Sequence, residues 1–451
     1  MFFLSINIYS QTTTAIDSEG YVLLNNERFF PIGMYCEGFW NLEHLEHADT
    51  LKSAGFNTMY TECYVMTDEE SASFFNHCEQ IGMYNLIGLQ PDGQNPEYQN
   101  LFKNYNSIIG WGVGDDADIQ FTVPELTSNH NISQLNDNKH ITYSAVTTNI
   151  FGSNNMLTDY TSITNVAAIE YYPIVYGTED LTGAYSVSEG LDTNCINSEN
   201  SAWTILQTYR WDGLVTNVYP TNEQITAMTY LSLIAGTKGI LYYTFKDYDN
   251  NSSINITQPL FWKRLKQLTS EISVLQDVLL YGTLTKVSDL INISDSWASY
   301  WLYNNKLYII AINSSQTNSI SYDFQMPDGF QTNLTPVFSN YNNTCSISEN
   351  RFYANLNPYE VQIFEVLSNS NKINDIETQN IEIFPNPTNK ILFINGISEN
   401  SKISIYDVLG KEVLNLETTN NQVNISNLQC GIYVLKIENE NGIVTKKFIK
   451  Q

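Results

Sequence analysis

Five short stretches set carboxylic acids, amides and aromatic rings beside one another. IGWGVGDDAD (109–118) ends in Asp115, Asp116 and Asp118, and IEYYP (169–173) holds Glu170, Tyr171 and Tyr172. LQTYRW (206–211) carries Gln207, Tyr209, Arg210 and Trp211, YTE (60–62) ends in Glu62, and YTFKD (243–247) carries Lys246 and Asp247. Carboxyls can supply an acid and a base or nucleophile, amides can bind hydroxyls, and aromatic faces can stack on sugar rings. Plainer roles compete. Asp115 and Asp116 suit the first turn of a following helix. Tyr171, Tyr172, Tyr209 and Trp211 suit packing, and Lys246 with Asp247 suits a rim salt bridge. Glu170 resists such a reading, because a carboxylate inside an apolar run needs a partner. Glu62 is a weaker case of the same kind. His140 follows Asp137 and Lys139 and reads as structural.

These stretches need a scaffold that brings their ends together. Short apolar runs predict strands at Phe29–Tyr35, Asn57–Glu62, Tyr84–Leu89, Ile108–Val113, Ile141–Val146, Ala167–Tyr172, Trp203–Thr208 and Gly239–Phe245. Amphipathic segments between them predict helices at Leu42–Ala54, Asp68–Ile81, Val123–Leu135, Glu223–Ala235 and Phe261–Leu275. Eight strands alternating with helices over roughly 250 residues fit an α/β fold, a (β/α)8 TIM barrel, over residues 20–278. An open doubly wound sheet also fits the alternation. No G-x-G-x-x-G follows the first strand and no P-loop occurs, which disfavours a nucleotide-binding version. In a barrel the five stretches fall at C-terminal strand ends, where barrel active sites are built. Residues 279–366 change character. Ser299–Tyr303, Leu307–Asn313, Ser319–Phe324 and Val361–Val366 read as strands of an antiparallel β-sandwich.

Composition narrows the partners. The 451 residues include 21 Lys and Arg against 48 Asp and Glu, a formal charge of −27. Phosphate-dominated binding to nucleic acid, and binding to an anionic membrane, would be repulsive. Neutral sugars remain open as partners, and the 13% aromatic content suits them as well as it suits strands. No stretch approaches 18 apolar residues, so no membrane span is expected. The six cysteines form no CxxC pair, no His stands at ligand spacing, and Asp247–Asn251 lacks a calcium-loop pattern. No metal or other cofactor is expected. Cys36 and Cys63, near the ends of neighbouring strands, could form a disulfide or remain core thiols.

Residues 1–11 begin with a short apolar run and close on small and polar residues. They read as a partial signal peptide lacking its basic start, or else as a buried first strand. At the other end, Phe384-Pro385-Asn386-Pro387-Thr388, Tyr406-Asp407-Val408-Leu409-Gly410-Lys411, Gly431-Ile432-Tyr433 and the basic pair Lys446-Lys447 follow in order. Residues 381–451 thereby resemble the type A C-terminal sorting domain of the type IX secretion system of Bacteroidetes. The resemblance implies a small C-terminal β-sandwich, the type IX machinery as partner, and a secreted or cell-surface location. The segment holds seven Lys and seven acids, so the whole net charge sits on the rest of the chain, beyond a polar linker at 367–380.

The body resembles glycoside hydrolases of the clan A type. Gly20–Gly33 is similar to their lead-in hairpin and first strand, and GWGVGDDAD is similar to their fourth-strand motif. That motif normally ends Asp-Glu-Pro or Asn-Glu-Pro, so Asp116 stands where the acid/base Glu is expected. The resemblance implies a polysaccharide or oligosaccharide substrate, with Asp116 as catalytic acid; Glu170, the acid inside the apolar run, is read as its carboxylate partner. Glu62, Asp115, Tyr172, Gln207, Tyr209, Trp211 and Lys246 would contact the sugar. The pattern breaks at the end of strand 7, where the family's nucleophilic Glu is matched by Gln207. Three outcomes follow: the Asp116–Glu170 pair acts, water or the substrate replaces the nucleophile, or the barrel binds glycan without cleaving it.

Overall fold

A computed structural model describes residues 11–36, 44–62, 65–89, 92–147, 159–174, 177, 180–197, 200–210, 218–288, 290, 295–338, 345–369, 382–395, 401–407, 411–418, 421–439 and 442–451. The chain divides into two compact units, Met1–Leu367 and Ser368–Gln451.

The first unit opens with a three-stranded antiparallel sheet, β1 (Thr14–Ile16), β2 (Val22–Leu24) and β3 (Glu27–Phe29). Eight parallel strands follow: β4 (Ile32–Tyr35), β5 (Thr58–Glu62), β6 (Tyr84–Gly88), β7 (Ile108–Gly114), β8 (Ile141–Thr147), β9 (Val166–Tyr171), β10 (Ser201–Gln207) and β11 (Ile240–Tyr243). They close into a barrel in chain order, β11 pairing with β4. The expected (β/α)8 barrel is therefore present. The predicted first strand Phe29–Tyr35 is divided at Phe30-Pro31, because Pro31 has no N–H to give a ladder. Its carbonyl instead accepts from Ile240 N at 2.9 Å. Val22, together with half-buried Ile16, Leu24 and Phe29, packs on the lower barrel interior, and Thr14 Oγ1 donates to Ile109 O at 2.8 Å. The small sheet thus plugs the barrel floor.

Helix Asp68–Ile81 starts on a capping box, Thr67 with Glu70, and ends on Gly82 in the left-handed conformation. Helix Asn222–Ala235 repeats the scheme with Thr221, Gln224 and Gly236. Helices Pro96–Phe102 and Thr182–Asn197 were not expected; the latter carries Gly183, Gly190 and several Ser, Thr and Asn, all poor helix formers. Tyr185 of that helix stacks on Trp297 with ring centroids 4.3 Å apart. The last barrel helix runs Pro259–Tyr281, beyond the expected boundary at 278.

After two short strands, β12 (Lys246–Asp247) and β13 (Ser252–Ser253), the chain forms two antiparallel sheets. One contains β14 (Thr283–Lys286), β15 (Ser296–Tyr303), β16 (Lys306–Asn313), β18 (Thr335–Pro336) and β21 (Val361–Leu367). The other contains β17 (Ile320–Gln325), β19 (Ser346–Ser348) and β20 (Arg351–Leu356). Alternation along β17 buries Tyr322 and Phe324 between them. Trp301, Ile310 and Ile363 face the other way and join the core of the barrel helices.

The second unit is also two-sheeted. One sheet has β22 (Glu382–Phe384), β23 (Ile391–Asn395) and β26 (Gln422–Asn424); the other has β24 (Ser401–Tyr406), β25 (Glu412–Thr418), β27 (Gly431–Asn439) and β28 (Gly442–Lys450). Its proline-rich motif cannot offer backbone N–H groups at positions 385 and 387. Asn386 compensates: its amide donates to Lys447 O at 3.1 Å and its oxygen accepts from Ile449 N at 2.9 Å. Residues 1–10, the core of the expected signal peptide, lie outside the described residues.

Candidate active site

Alternation along the barrel strands decides which side chains point inward. Tyr60 and Glu62 are two apart, as are Glu170 and Tyr172, and Gln207 and Tyr209, so each pair shares a face. Tyr60, Tyr172 and Tyr209 belong to the barrel-interior core with Tyr35, Tyr143 and Trp203. Tyr171 points outward instead, its hydroxyl donating to Asp180 O beside Gly183. It is packing, not a sugar platform.

The inward tyrosines form a continuous wall. Tyr35 stacks on Tyr60 at 4.2 Å and meets Tyr243 at 5.3 Å; Tyr243 meets Tyr209 at 5.2 Å and Tyr172 at 5.8 Å. The Tyr35 and Tyr143 hydroxyls are 2.6 Å apart. Two glycines make room for this layer. A Cβ on Gly88 would lie 2.5 Å from Tyr60 Oη, and one on Gly112 would lie 3.1 Å from the Tyr60 ring.

Four carboxyls reach the same end of the barrel. Glu62 closes β5, Asp115 and Asp116 follow β7, and Glu170 lies near the end of β9; all four are partly exposed. The β7 turn is held by Asp118, whose two oxygens accept from Thr147 N at 2.7 Å and Thr147 Oγ1 at 2.8 Å. Thr147 ends β8, and its register partner on β9 is Glu170. The clamp thereby carries the turn toward Glu170. Asp116 takes the left-handed conformation, with φ at 44°, and its carboxyl hydrogen-bonds that of Glu170. A hydrogen bond between two carboxyls requires a proton on one of them.

Asp115 has the more unusual environment. Its Oδ1 is buried with no hydrogen-bond partner, although the residue keeps some exposed surface. Burial, then the charges of Asp116 and Glu62, push its pKa up to about 7. Burial also raises Asp116; Asp118 adds to this, while hydrogen bonds from Glu170 and Gln120 oppose it without cancelling it. The surroundings raise Tyr35 and Tyr172 too, by burial first, with Asp115 and Glu170 among the charges acting on both.

Gln207 is fully buried at the end of β10. Its Oε1 accepts from Ile174 N at 3.1 Å and its Nε2 donates to Tyr209 O at 3.0 Å. The amide therefore braces the β9 and β10 exits. Lys246 sits on β12 with its ammonium 5.1 Å from the Tyr248 ring, and Tyr248 Oη lies 3.3 Å from Tyr243 Oη. Asp247 accepts from Asn250 at 2.8 Å. Trp211 and Cys63 lie outside the described residues. Tyr35, Tyr143, Tyr243 and the Asp118 clamp were not singled out in the sequence. The two-residue spacing from Tyr60 to Glu62 was the available signal for the wall; the Asp118–Thr147 contact had none.

Among the described residues, no group of three or more His, Cys, Asp or Glu is placed to hold a metal ion. No described helix is long and apolar enough to cross a membrane.

Comparison with known proteins agrees with this architecture. Residues 382–451 match the family model of the secretion system C-terminal sorting domain. This type IX signal directs the chain to secretion or the cell surface. No curated protein matches the sequence. Among solved structures, an α-amylase from Anoxybacillus, described as representing a new glycosyl hydrolase subclass, superposes with a TM-score of 0.51 at 10% identity. The match covers 76% of this chain and 99% of that one. The γ-CGTase of alkalophilic Bacillus clarkii gives 0.50 at 10% identity, covering 93% and 83%. At such identity the likeness is one of fold alone: the body shares the barrel fold of these two enzymes, and the tail is a sorting domain.

Proposed function

We propose that the exported chain hydrolyses a glycosidic bond of an oligosaccharide or polysaccharide at the C-terminal mouth of its barrel. The observation that carries this reading is the convergence of Glu62, Asp115, Asp116 and Glu170 on a wall of tyrosines. Fold likeness alone would not support an activity.

Asp115 is the proton donor. An acid that still holds its proton near neutral pH is matched to protonating a leaving oxygen. This moves the acid role from Asp116, the position expected from the sequence, by one residue. Asp116 and Glu170 act as one unit holding a proton and a negative charge. That charge stabilises the oxocarbenium-like transition state and takes a proton from the attacking water. The sugar–oxygen bond breaks, the water oxygen bonds to the sugar carbon, and Asp115 supplies the leaving group's proton. Tyr172, Tyr209 and Glu62 position the sugar, and Gln207 positions Tyr209. The test is release of reducing ends from a polysaccharide panel by the full chain, by Asp115→Asn and by Glu170→Gln. Release that survives in both variants sinks the assignment.

Gln207 supports a second reading, in which the barrel binds glycan without cleaving it. Binding with no reducing ends released, unchanged by Asp116→Asn, would favour it.

A further inference from the structure

Asp116 stands in a strained conformation. Its φ of 44° lies in the left-handed region, which a residue with a Cβ adopts only at a cost. It opens the short helix Ala117–Gln120 and gives that helix no side-chain cap bond. One turn of helix is too short to hold such a conformation by itself. Its surroundings must hold it. Upstream, Asn129 Nδ2 donates to Val113 O at 3.2 Å and to Asp92 O at 2.9 Å, so the end of β7 is fixed to the β6 exit. A Cβ on Gly114 would lie 2.7 Å from Leu126 Cδ1, so this approach has little slack. Downstream, Tyr160 Oη donates to Phe121 O at 2.7 Å. Between these anchors Asp118 receives both donors of Thr147, N and Oγ1.

Thr147 links the two halves of the carboxyl pair. It is the β8 residue in register with Glu170 of β9, and its N–H and hydroxyl hold the turn that carries Asp116. β-Branching stiffens its χ1, so the hydroxyl keeps one direction. We infer that Thr147 is a positioning residue: through Asp118 it holds Asp116 against Glu170, so that the two carboxyls keep one proton between them. The inference rests on the hydrolase reading above and adds to it a residue that acts through the turn and not on the sugar.

Thr147→Val and Thr147→Ser in the full chain test it with two readouts. The first needs no substrate: carbon-detected NMR titration of the side-chain carboxyls, with Asp116→Asn and Glu170→Gln to assign the signals. Carboxyls that hold one proton between them titrate in two separated steps, and the steps close up when the groups move apart. The gap between the two midpoints should narrow by about one pH unit or more in Thr147→Val and keep its parent value in Thr147→Ser. The second readout is reducing-end release from a polysaccharide that the parent chain cleaves. Thr147→Val should lower kcat about tenfold with KM within about twofold, and Thr147→Ser, which keeps the hydroxyl, should restore it. If Thr147→Val does not fold, Asp118→Ala, which removes both acceptors, carries the same comparison. An unchanged gap in Thr147→Val overturns the inference, and so does an equal narrowing in Thr147→Ser. A narrowed gap in a chain whose parent cleaves no polysaccharide supports the positioning and overturns the hydrolase reading.

Discussion

Two aspartates, one at the floor of the barrel and one at its mouth, have opposite surroundings. Asp137 caps the end of helix Val123–Asn136 at the foot of β8. Its Oδ2 accepts from His140 Nδ1 at 2.6 Å and from Trp111 Nε1 at 2.8 Å, and its Oδ1 accepts from Lys139 N at 3.0 Å. Burial works to raise its pKa, but His140, Trp111 and Lys139 outweigh burial and hold it below the usual range. Asp115 keeps one buried oxygen unmatched among like charges, and its pKa rises to about 7. The floor uses a carboxylate to join a helix, a strand and an indole. The mouth leaves one unsatisfied, a cost that the fold alone does not explain.

Breaking each side of this contrast should give different results. The largest effect belongs to the mouth: Asp115→Asn or Glu170→Gln should lower kcat/KM by about 10²–10⁴. Far-ultraviolet circular dichroism should show the fold intact. In the native chain, activity should fall as pH rises through about 7, because Asp115 then loses the proton it donates. Next comes the floor. Asp137→Ala leaves a buried indole N–H and an imidazole without their acceptor and should cost about 2–4 kcal/mol by urea unfolding. Activity per folded molecule should survive.

A smaller effect sharpens the comparison through its sign. The folded Asp115 pKa lies above its unfolded value of about 3.9, so the folded state holds a proton that the unfolded state has lost. Stability from this group is full below about pH 4 and declines as pH rises toward about 7. Asp115→Asn removes that decline. It should gain about 1–2 kcal/mol at pH 8 and nothing below pH 4. Asp137, with its depressed pKa, contributes above its unfolded value and loses that contribution as pH falls through the folded one. Gly88→Ala is the mildest change. Its Cβ crowds Tyr60 Oη, and about 1 kcal/mol of stability should be lost.

Much of the barrel was legible from the chain. Its strands are short apolar runs bounded by Gly, Asn and polar residues, and all eight runs lie within a few residues of their predicted places. The break at Pro31 was visible as a residue and invisible as a boundary, because its effect depends on which neighbour needs its carbonyl. Helix Thr182–Asn197 was hidden because tertiary packing against β9, β10 and Trp297 overrides its weak propensity. The acids at the strand ends were legible as candidates. Their roles were not, because spacing cannot show that Asp118 ties the turn to β8, or that Asp116 meets Glu170. It also cannot show that adjacent aspartates differ, one bonded and the other with an oxygen left bare. The tyrosine wall was half legible: Tyr172 and Tyr209 stood near acids or amides in sequence, whereas Tyr35 and Tyr143 reach the mouth only when the sheet closes.

The central claim is that Asp115 is an unsatisfied carboxyl at the mouth that keeps its proton near neutral pH. It can be tested without knowing the substrate. Carbon-detected NMR titration of the aspartate side-chain carboxyls in the full chain, with Asp115→Asn to assign the signal, reads that group directly. A midpoint near pH 7 is the predicted result, with Asp137 titrating in the acid range. A midpoint near 4 for Asp115 would make it an ordinary surface carboxylate and would contradict the account.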